Sequence, residues 1–336
     1  MTDRIAVLGA GAWGTTLAVR LAAAGHPVTL WAHSAEAATA LERDRENRRY
    51  LPGVAVPPGV RATGDDALLA EPHHLYVVSV PSEHVRATLA RLAASLVPAR
   101  PLLSVVKGIE DGSWLRMSEL VAQELPGRAV AVLSGPNLAA EIAAGKPAGT
   151  VVASHDPALA AEIAGLLSSD RFRVYTNPDV TGVELGGALK NVVALAAGMV
   201  DGLGFGDSAK AGIITRGLAE ITRLGMAAGA NPMTFSGLAG MGDLIATCMS
   251  PLSRNRRAGE LLASGLAWPD VAVRLNGIAE GVATVAGALG LARQHGVELP
   301  IAEQVDAVLH RGLAPLDGVA ALMAREPKDE LASLDG

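Results

Sequence analysis

Cysteine is almost absent from the sequence, because Cys248 is the single one among 336 residues. No disulfide can form within the chain, and a zinc site built from several cysteines is excluded. Free thiols are typical of a reducing compartment, so we expect a cytoplasmic protein. We also expect no metal ion at the functional site.

Positive charge is scarce as well, since charged residues make up 18% of the chain and the formal net charge is −6. Without a basic excess the chain is poorly suited to neutralise a nucleic-acid backbone, so we expect no nucleic-acid partner. A local cationic pocket for a small anion stays compatible with this balance. Hydrophobic residues make up 50% of the chain, which suffices for a sizeable core and argues against disorder.

The sequence shows no targeting segment that we can identify. The opening stretch MTDRIAVLGAGAWG leads straight into a strand pattern and lacks the charged region and cleavage site of a signal peptide. The apolar stretch 185–200 is shorter than the roughly 20 residues that a membrane-spanning helix needs, and Lys190 lies inside it. We therefore interpret this stretch as a buried helix and expect no membrane span.

Short apolar runs alternate with helical patterns through the first half of the chain. Their length and their β-branched residues favour strands, and their spacing predicts a parallel sheet built from βαβ units. The runs are RIAVLG, VTLWA, LYVVSV, LLSVV, AVAVL, GTVVAS and FRVYT.

After residue 181 the strand-like runs end and helical periods take over, punctuated by glycine and proline. The periods predict helices near 181–200, 208–225, 254–264, 278–294 and 300–311. The sequence therefore predicts two domains: a doubly wound α/β sheet over residues 1–180 and an all-α domain over residues 181–336.

The glycine-rich turn GAGAWG follows the first predicted strand and opens the first predicted helix. Gly9, Gly11 and Gly14 have the spacing G-x-G-x-x-G. The first glycine permits a tight turn, the second lets a pyrophosphate approach the backbone, and the third lets helix and strand pack closely. The helix N-terminus attracts the pyrophosphate through its free N–H groups and its dipole. This context predicts a Rossmann-type domain that binds NAD or NADP.

The tip of the second predicted strand bears on the choice of cofactor. A strict NAD site usually has an acid there to bind the ribose hydroxyls, whereas this chain has WAHSAE, with His33 at the tip. Without an acid a 2′-phosphate is not repelled, and His33 can contact it. The alternative is that His33 is a solvated loop residue. Use of NADP, or of both NAD and NADP, fits these residues.

Polar residues follow two other predicted strands, at the edge where open parallel sheets bind ligands. Lys107 comes directly after SVV, where it is well placed for a substrate anion or carbonyl, although a solvated loop cation is the simpler interpretation. Asn137 follows AVLSGP. It is suited equally to a ligand contact and to capping the helix LAAEIAAG.

One ammonium group, that of Lys190, lies in the apolar segment GGALKNVVALAAGMV. On a helix its face holds very small side chains, which leave room for another backbone or for a ligand. They are Gly186, Gly187, Ala194, Ala197 and Gly198. A desolvated lysine has a lowered pKa and can give or take a proton near neutral pH. The alternative is a lysine that extends to solvent along its own methylenes.

Two further motifs in the second half carry charge. Asp243, in GLAGMGDL, is the carboxylate that we expect beside Lys190, unless it only caps a helix. Ser253, Arg254 and Asn255, in SPLSRNRR, offer a hydroxyl, a guanidinium and an amide at the start of a helix, which suits a phosphate. The two arginines that follow are equally well explained as a solvated face.

These stretches together resemble the bacterial-type NAD(P)-dependent glycerol-3-phosphate dehydrogenases, in order from residue 9 to about residue 281. They are GAGAWGTTLA, VPS, KGIE, LSGPNLAAE, GVELGGALKNVVALAAGMVDGLGFGD, ITRGLAEITRLG, GLAGMGDLIATC, SRNRRAG and AEG. The long stretch around Lys190 is highly specific to that family, whereas the glycine turn alone is not.

The resemblance implies a catalytic residue, a substrate site and a cofactor site. Lys190 resembles the family's proton donor and acceptor. The implied substrate-binding positions are Lys107, Gly135, Asn137, Lys190, Asp243, Ser253, Arg254 and Asn255. Besides the three glycines of the turn, the implied cofactor-binding positions are Ala12, Trp13, His33, Lys107, Ala139, Arg254, Ile278 and Glu280.

The chain departs from the family pattern at three of these positions. Ala12 stands where the family often has serine, which removes a side-chain hydroxyl but leaves the backbone contact. Asn137 stands where serine or threonine is frequent, and its amide can still hydrogen-bond but is larger. His33 stands where arginine is also found, so the preference between NAD and NADP stays open.

The activity implied by the resemblance is reversible hydride transfer between NAD(P)H and dihydroxyacetone phosphate, which gives sn-glycerol 3-phosphate for glycerophospholipid biosynthesis. The implied partner is this small phosphorylated substrate, and the oligomeric state is left open, a homodimer included. Two alternatives remain. A dehydrogenase of 3-hydroxy acids with the same domain plan would need a carboxylate site instead of SRNRR. A nucleotide-sensing protein without turnover is disfavoured by the small residues around Lys190.

Overall fold

The first half of the chain supplies the strands, as a computed structural model shows for residues 3–275 and 277–326. In chain order they are β1 (Ile5–Leu8), β2 (Val28–Trp31), β3 (Glu46–Asn47), β4 (Leu51–Ala55), β5 (Val60–Thr63), β6 (Leu75–Val78), β7 (Leu102–Ser104), β8 (Val130–Ser134), β9 (Ala148–Ser154) and β10 (Phe172–Asn177). Eight of them form one sheet, in the order β10-β9-β8-β7-β6-β1-β2-β5, while β3 and β4 form a separate antiparallel hairpin.

The pairings within the large sheet are parallel from β5 through β2, β1, β6 and β7 to β8, and again between β9 and β10. Strands β1, β2 and β6 are buried along their whole length. Strands covered on both faces show continuous apolar runs rather than alternation. This is why runs such as IAVL and LYVV predict the sheet correctly.

Helices separate the strands and complete the α/β unit. They are α1 (Ala12–Ala23), α2 (Ala35–Asp44), α3 (Val85–Leu92), α4 (Met117–Glu124), α5 (Ala139–Ala143) and α6 (Pro157–Leu167). Two of them begin at side-chain caps: Ser34 accepts from the backbone N–H of Ala37 at α2, and Asp156 accepts from that of Ala158 at α6.

The strand order reverses between β1 and β6, which creates a switch point at the carboxyl ends of these strands. Gly9 follows β1 there and has a φ of +119°, and a Cβ at Gly9 would lie 2.4 Å from the carbonyl oxygen of Ser79, just after β6. Only glycine fits this approach. Because ligands of doubly wound sheets bind at such a point, the glycine-rich turn is where a nucleotide is expected.

Two features of the first half were not predicted. Strand β5 has the sequence VRAT, which is four residues long and half polar, and it gains its place by pairing with β2 at the edge of the sheet. The hairpin of β3 and β4 contains Pro52 and Gly53, and these residue types predict a turn rather than a strand. Each of the seven predicted runs does form a strand, so the predicted α/β fold class is confirmed.

From residue 181 onward the described residues form helices and no strand, which confirms the all-α prediction. The helices are α7 (Val180–Gly202), α8 (Gly206–Ala227), α9 (Pro232–Phe235), α10 (Asp243–Met249), α11 (Arg254–Ala263), α12 (Trp268–Arg274), α13 (Glu280–His295), α14 (Pro300–His310) and α15 (Pro315–Met323). The prediction missed α9, α10, α12 and α15, which are four to nine residues long and too short to show a helical period.

Helix α7 runs through the core of the helical unit. It has 23 residues, which is long and apolar enough to cross a membrane by length and composition, so our argument from a shorter apolar stretch was wrong. Its most apolar 18-residue window is entirely buried inside the protein. The burial of α7, rather than its length, marks it as a core helix.

Small residues on α7 receive the backbones of neighbouring segments. A Cβ at Gly186 would lie 2.6 Å from the carbonyl oxygen of Ala239, and a Cβ at Gly198 would lie 1.9 Å from that of Arg256. Contacts this short leave no space for a methyl group. The small-residue face that we predicted around Lys190 therefore serves, at these two positions, close approach of other chain segments.

The chain divides into two compact units. The second contains the helices from Thr181 onward together with two short segments, Lys107–Arg116 and Ser134–Pro136, that interrupt the first unit. We had placed both segments in the α/β domain. Ile109 explains the grouping of the first segment, because it packs directly on Gly287 of α13, where a Cβ would lie 2.9 Å from its Cγ2 atom.

Candidate active site

The ammonium group of Lys190 is buried near the middle of α7, where two acceptors bind it. Nζ donates to Asp243 Oδ1 at 2.7 Å and to Thr247 Oγ1 at 2.5 Å. Only 8% of the Lys190 side chain is exposed. The alternative of a lysine extending into solvent is therefore wrong, and the carboxylate that we expected beside Lys190 is present.

The protonation of Lys190 is tuned by its surroundings. Burial lowers its pKa from 10.5 to about 8, an effect that the negative charge of Asp243 opposes and the positive charge of Lys107 reinforces. An amine with this pKa holds a proton at neutral pH but releases it readily. This property is what a group that gives and takes a proton in a reaction near pH 7 requires.

Asp243 bridges two lysines. Its Oδ2 accepts from Lys107 Nζ at 2.7 Å while its Oδ1 accepts from Lys190, and Asp243 is 1% exposed. The segment Leu238–Gly242 is one π-helical turn that runs into α10. Asp243 is the first residue of α10, and its carboxylate binds the two ammonium groups, so the alternative of a simple helix cap is wrong.

Lys107 is held on both sides. Its Nζ also donates to the carbonyl oxygen of Gly135 at 2.9 Å, and 13% of its side chain is exposed, which excludes a solvated loop cation. Each ammonium group carries three N–H donors, and each of the two lysines shows two acceptors among the described residues. One donor on each lysine is therefore left to meet the oxygen atom of a substrate.

The start of α11 lies in the same unit. Ser253 is its N-cap, and its Oγ accepts from the backbone N–H of Arg256 at 3.2 Å. The buried amide of Asn255 donates to Asn191 Oδ1 at 2.9 Å and accepts from the backbone N–H of Gly281 at 2.9 Å. Asn255 thus joins α7, α11 and α13. The Nδ2 atom of Asn191 is buried without a hydrogen-bond partner in the described part of the chain.

Arg254 and Glu280 extend this group of charges. Arg254 is exposed, and its guanidinium lies against the backbone of Gly277, where a Cβ would be 2.8 Å from Nη1. Glu280 begins α13, and burial raises its pKa, although the positive charges of Arg254, Lys107 and Lys190 oppose the rise. Glu280 therefore lies close enough to Arg254, Lys107 and Lys190 to interact with all three electrostatically.

The structure therefore brings most of the predicted substrate site together within the helical unit. The substrate-site residues so assembled are Lys107, Gly135, Lys190, Asp243, Arg254 and Asn255. Glu280, which the resemblance assigns to the cofactor, lies beside them. Ser253 acts as the cap that orients the start of α11, and Ile278 lies, 38% exposed, in the segment before α13. The other predicted residues lie in the α/β unit.

Two residues of this site were not predicted from the sequence. Thr247 stands four residues after Asp243, so its position beside Lys190 follows from helical spacing once α10 is known, and α10 is too short to be recognised. Asn191 follows Lys190 directly but points to a different side of α7, toward Asn255. No pattern in the sequence marks an asparagine in a helix as a partner of a distant amide.

The glycine-rich turn has the shape of an anion cradle. A Cβ at Gly14 would lie 1.9 Å from the carbonyl oxygen of Gly9, which explains the third glycine by packing, whereas a Cβ at Gly11 would meet no protein atom within 4 Å. Helix α1 begins without a side-chain cap and without an acid in its first turn. Its N-terminal N–H groups therefore suit a pyrophosphate, and the residues present fit a dinucleotide.

Ala12, Trp13 and Ala139 lie at helix starts of the α/β unit. Thr16 Oγ1 lies 2.9 Å from the carbonyl oxygen of Ala12 and 3.3 Å from that of Ala139, so α1 and α5 begin close to each other. The indole Nε1 of Trp13 is buried without a partner in the part of the chain that the structure covers. A buried donor of this kind is available to a bound nucleotide.

Asn137 does not cap the following helix, so that alternative is wrong. The N-cap of α5 is Leu138, and the Asn137 amide donates to Thr150 Oγ1 at 3.0 Å. Its Oδ1 is buried without a partner among the described residues. A ligand contact through this oxygen is the interpretation that remains.

His33 is exposed two residues after the end of β2, and its ring meets that of Trp31 edge-on at a centroid distance of 6.3 Å. Ser34 caps α2, and Glu36 lies within that helix. The tip of β2 itself thus carries no acid. This arrangement keeps His33 accessible to a ribose or to a 2′-phosphate.

Replacement of Gly11 by alanine tests the cradle directly. The backbone of Gly11 (φ −75°, ψ −175°) suits any residue and a Cβ meets no protein atom, so we expect unchanged thermal stability. Because the methyl group would stand where the pyrophosphate approaches, the affinity for NADH should fall by about tenfold or more, measured by fluorescence titration. The control is Gly165→Ala, an equally open glycine in α6. Wild-type affinity in the Gly11 variant would place the cofactor elsewhere.

Family models, related sequences and solved structures all match this chain to the same protein family. Models described as NAD-dependent glycerol-3-phosphate dehydrogenase N-terminus and C-terminus match residues 4–160 and 179–320. The chain is 49% identical over 328 residues to glycerol-3-phosphate dehydrogenase (NAD(P)+) of Desulfitobacterium hafniense, covering 98% of this chain and 93% of that one. It is similarly 49% identical over 330 residues to the enzyme of Thermobifida fusca, with 97% and 98% covered. The crystal structure of glycerol-3-phosphate dehydrogenase from Coxiella burnetii matches with a TM-score of 0.94 and 36% identity, covering 96% of this chain and 99% of that one.

Proposed function

We infer the function from one premise, namely that the chain belongs to the NAD-dependent glycerol-3-phosphate dehydrogenase family. It is an NAD(P)-dependent oxidoreductase that interconverts dihydroxyacetone phosphate and sn-glycerol 3-phosphate. The observation that supports this reaction most strongly is the buried ammonium group of Lys190, which Asp243 holds beside a second lysine.

Lys190 is the residue that we assign to proton transfer. In the reducing direction its ammonium group gives a proton to the oxygen atom that forms at C2 of the substrate, and in the oxidising direction the neutral amine takes that proton back. A pKa of about 8 allows both states near neutral pH. Asp243 and Thr247 fix the direction of the remaining N–H bond by accepting the other two.

Lys107 and Asp243 support this step electrostatically. The ammonium group of Lys107 is fixed by Asp243 and by the carbonyl of Gly135 before any substrate binds. A positive group that is already oriented stabilises the negative charge that develops on the substrate oxygen, because no reorganisation is needed during the reaction. Asp243 keeps the two lysines together although their charges repel each other.

The start of α11 is the site that we assign to the substrate's phosphate. Arg254 can bind a phosphate with two parallel hydrogen bonds, and the free N–H groups of the helix N-terminus add to the attraction. Asn255 and Ser253 fix the geometry of this turn through their own hydrogen bonds. The unpartnered Nδ2 of Asn191 supplies a further donor near Asn255. Phosphate binding away from C2 orients the carbonyl for reaction.

The dinucleotide is assigned to the α/β unit. Gly9, Gly11 and Gly14 would accommodate the pyrophosphate at the start of α1, with contacts from Ala12, Trp13, His33 and Ala139. The resemblance also implies cofactor contacts from Lys107, Arg254, Ile278 and Glu280, and a substrate contact from Asn137. When bound, the nicotinamide supplies or accepts the hydride. On this assignment residues 1–180 supply most of the cofactor contacts and residues 181–336 supply most of the substrate contacts.

The wider setting is also part of the proposal. The sn-glycerol 3-phosphate formed would enter glycerophospholipid biosynthesis. A cytoplasmic location is supported by the single cysteine, Cys248, which is buried and free. A homodimer is a further proposal, and size-exclusion chromatography with light scattering tests it.

A steady-state assay tests the function itself. We expect the protein to oxidise NADH or NADPH in the presence of dihydroxyacetone phosphate, with the two cofactors compared side by side. A panel of 3-oxo acids serves as the control, because the alternative dehydrogenase would reduce those instead. Nicotinamide binding without turnover of either substrate class would favour a nucleotide-sensing protein.

A further inference from the structure

Near the C-terminal end of α7 lies an ion-pair cluster that takes no part in the proposed chemistry. Asp201 Oδ2 accepts from Lys210 Nζ at 2.7 Å and from Arg256 Nε at 2.6 Å, and Arg256 Nη2 lies 2.8 Å from Glu260 Oε1. The exposed fractions of the Asp201, Lys210 and Arg256 side chains are 18%, 7% and 18%. The cluster is therefore largely buried, and it joins α7, α8 and α11 at one carboxylate.

Arg256 links this cluster to the turn that we assign to the phosphate. It follows Arg254 and Asn255 directly in the first turn of α11. Its side chain binds Asp201, while its backbone N–H donates to the cap, Ser253. The residue that anchors α11 to α7 is thus the same residue that completes the first turn of α11.

The crossing of α7 and α11 explains why an anchor is needed. A Cβ at Gly198 would lie 1.9 Å from the carbonyl oxygen of Arg256, and a Cβ at Gly259 would lie 2.1 Å from that of Leu195. These two backbones therefore touch. A contact made of glycines fixes how close two helices come, but it involves few side chains that could hold their register. A short charged hydrogen bond does fix the register.

Two anchors on α7 hold the first turn of α11. Asn191 binds Asn255 and Asp201 binds Arg256, and on a helix the two α7 residues stand about 15 Å apart. Lys190 is next to the first anchor. The separation between the proton-transfer group and the phosphate-binding turn therefore depends on both anchors being made.

We propose that Asp201 is a positioning residue of the reaction: it holds the first turn of α11, with Arg254 and Asn255, at the distance from Lys190 that a phosphorylated substrate requires. The inference rests on the proposed function, because it takes this turn as the phosphate site. Asp201 acts only through Arg256 and touches neither the substrate nor the cofactor.

The charge of Asp201 is essential to this role. Burial raises its pKa, but the hydrogen bonds from Lys210 and Arg256 outweigh burial and leave the pKa below its usual value. Asp201 is therefore ionised throughout the neutral range. Asparagine keeps the shape of the side chain but leaves the buried ammonium of Lys210 and the guanidinium of Arg256 without a counter-charge.

The test is Asp201→Asn, assayed with dihydroxyacetone phosphate and with unphosphorylated dihydroxyacetone. Because a misplacement of about 1 Å can cost about 10²-fold, we expect the KM for dihydroxyacetone phosphate to rise by about tenfold or more, with a smaller fall in kcat. For dihydroxyacetone, which has no phosphate to misplace, kcat/KM should stay within about twofold of wild type, and the Kd for NADH should be unchanged.

Ile221→Val is the matched control. Ile221 is 2% exposed in the helical core and lies outside both sites, so this variant loses stability without losing the anchor. A general structural effect would lower activity toward both substrates alike in both variants. Hydrogen exchange gives a second readout: in Asp201→Asn the amides of residues 253–257 should exchange faster while those of residues 185–195 do not. Equal effects on both substrates, or unchanged exchange at 253–257, would overturn the inference.

Arg256→Lys and Arg256→Met keep the inference testable if Asp201→Asn fails to fold. The lysine variant retains a donor that can reach Asp201, so it should keep more of the activity toward dihydroxyacetone phosphate than the methionine variant does. Identical kinetics of the two variants would contradict the positioning role of Asp201 but not the proposed function. If the wild-type protein does not reduce dihydroxyacetone phosphate, the proposed function is contradicted instead. The hydrogen-exchange comparison then shows separately whether Asp201 holds the first turn of α11 in place.

Discussion

Lys190→Ala should lose turnover while keeping its cofactor. Proton transfer by a positioned side chain contributes roughly 10²- to 10⁴-fold, so we expect kcat for dihydroxyacetone phosphate reduction to fall within that range. The variant should fold, because Asp243 keeps Lys107 as a counter-charge when the amine is removed. The Kd for NADH, measured by fluorescence titration, should change by no more than about twofold.

Lys190→Met separates the loss of the amine from the loss of packing. Methionine keeps most of the length of the side chain in a site that is almost fully buried, so a cavity cannot explain a defect that both variants share. We expect the two variants to have similarly low kcat values. A kcat close to wild type in either variant would show that another group transfers the proton.

Arg254→Ala should raise the KM for dihydroxyacetone phosphate. A hydrogen bond to a charged group is worth roughly 1.5–3 kcal/mol, so the loss of this guanidinium should raise KM by about ten- to hundredfold, with a smaller effect on kcat. Because Arg254 is also assigned to the cofactor, the Kd for NADH must be measured separately. The steady-state KM at saturating NADH isolates the effect on the substrate.

Arg257→Ala is the control for this prediction. Arg257 lies on the same helix, three residues after Arg254, and is exposed. Its removal takes away one positive charge from α11 while leaving the side chains of Ser253, Arg254 and Asn255 in place, so we expect a change in KM of less than about twofold. Equal effects of the two substitutions would mean that the overall charge of the helix, rather than a specific contact of Arg254, attracts the substrate.

The pairing of Lys190 with Asp243 could be predicted from the sequence for a physical reason. A single ammonium group in an apolar helix must find a counter-charge or lose its proton, and the carboxylate of GLAGMGDL lies in a segment with few other charges. The glycine turn could be predicted as well, because a close approach such as that of Gly9 to Ser79 admits only one residue type.

Other parts of the site depend on contacts that no local pattern encodes. Lys107 follows a strand of the sheet, yet it groups with the helical unit through Asp243 and Gly135, which are distant in sequence. Thr247 could not be placed because α10 is only seven residues long. Asn137 fits the composition of a helix cap, but Thr150 offers its amide a partner in the sheet. In each case a tertiary contact prevails over the local signal.

The pH dependence of wild-type kcat/KM, measured in both directions, tests most directly whether Lys190 transfers the proton. Reduction of dihydroxyacetone phosphate needs the protonated amine, so its kcat/KM should fall as the pH rises through about 8. Oxidation of sn-glycerol 3-phosphate needs the neutral amine, so its kcat/KM should rise through the same pH. Two profiles that change in the same sense, or that stay flat across this range, would contradict the assignment.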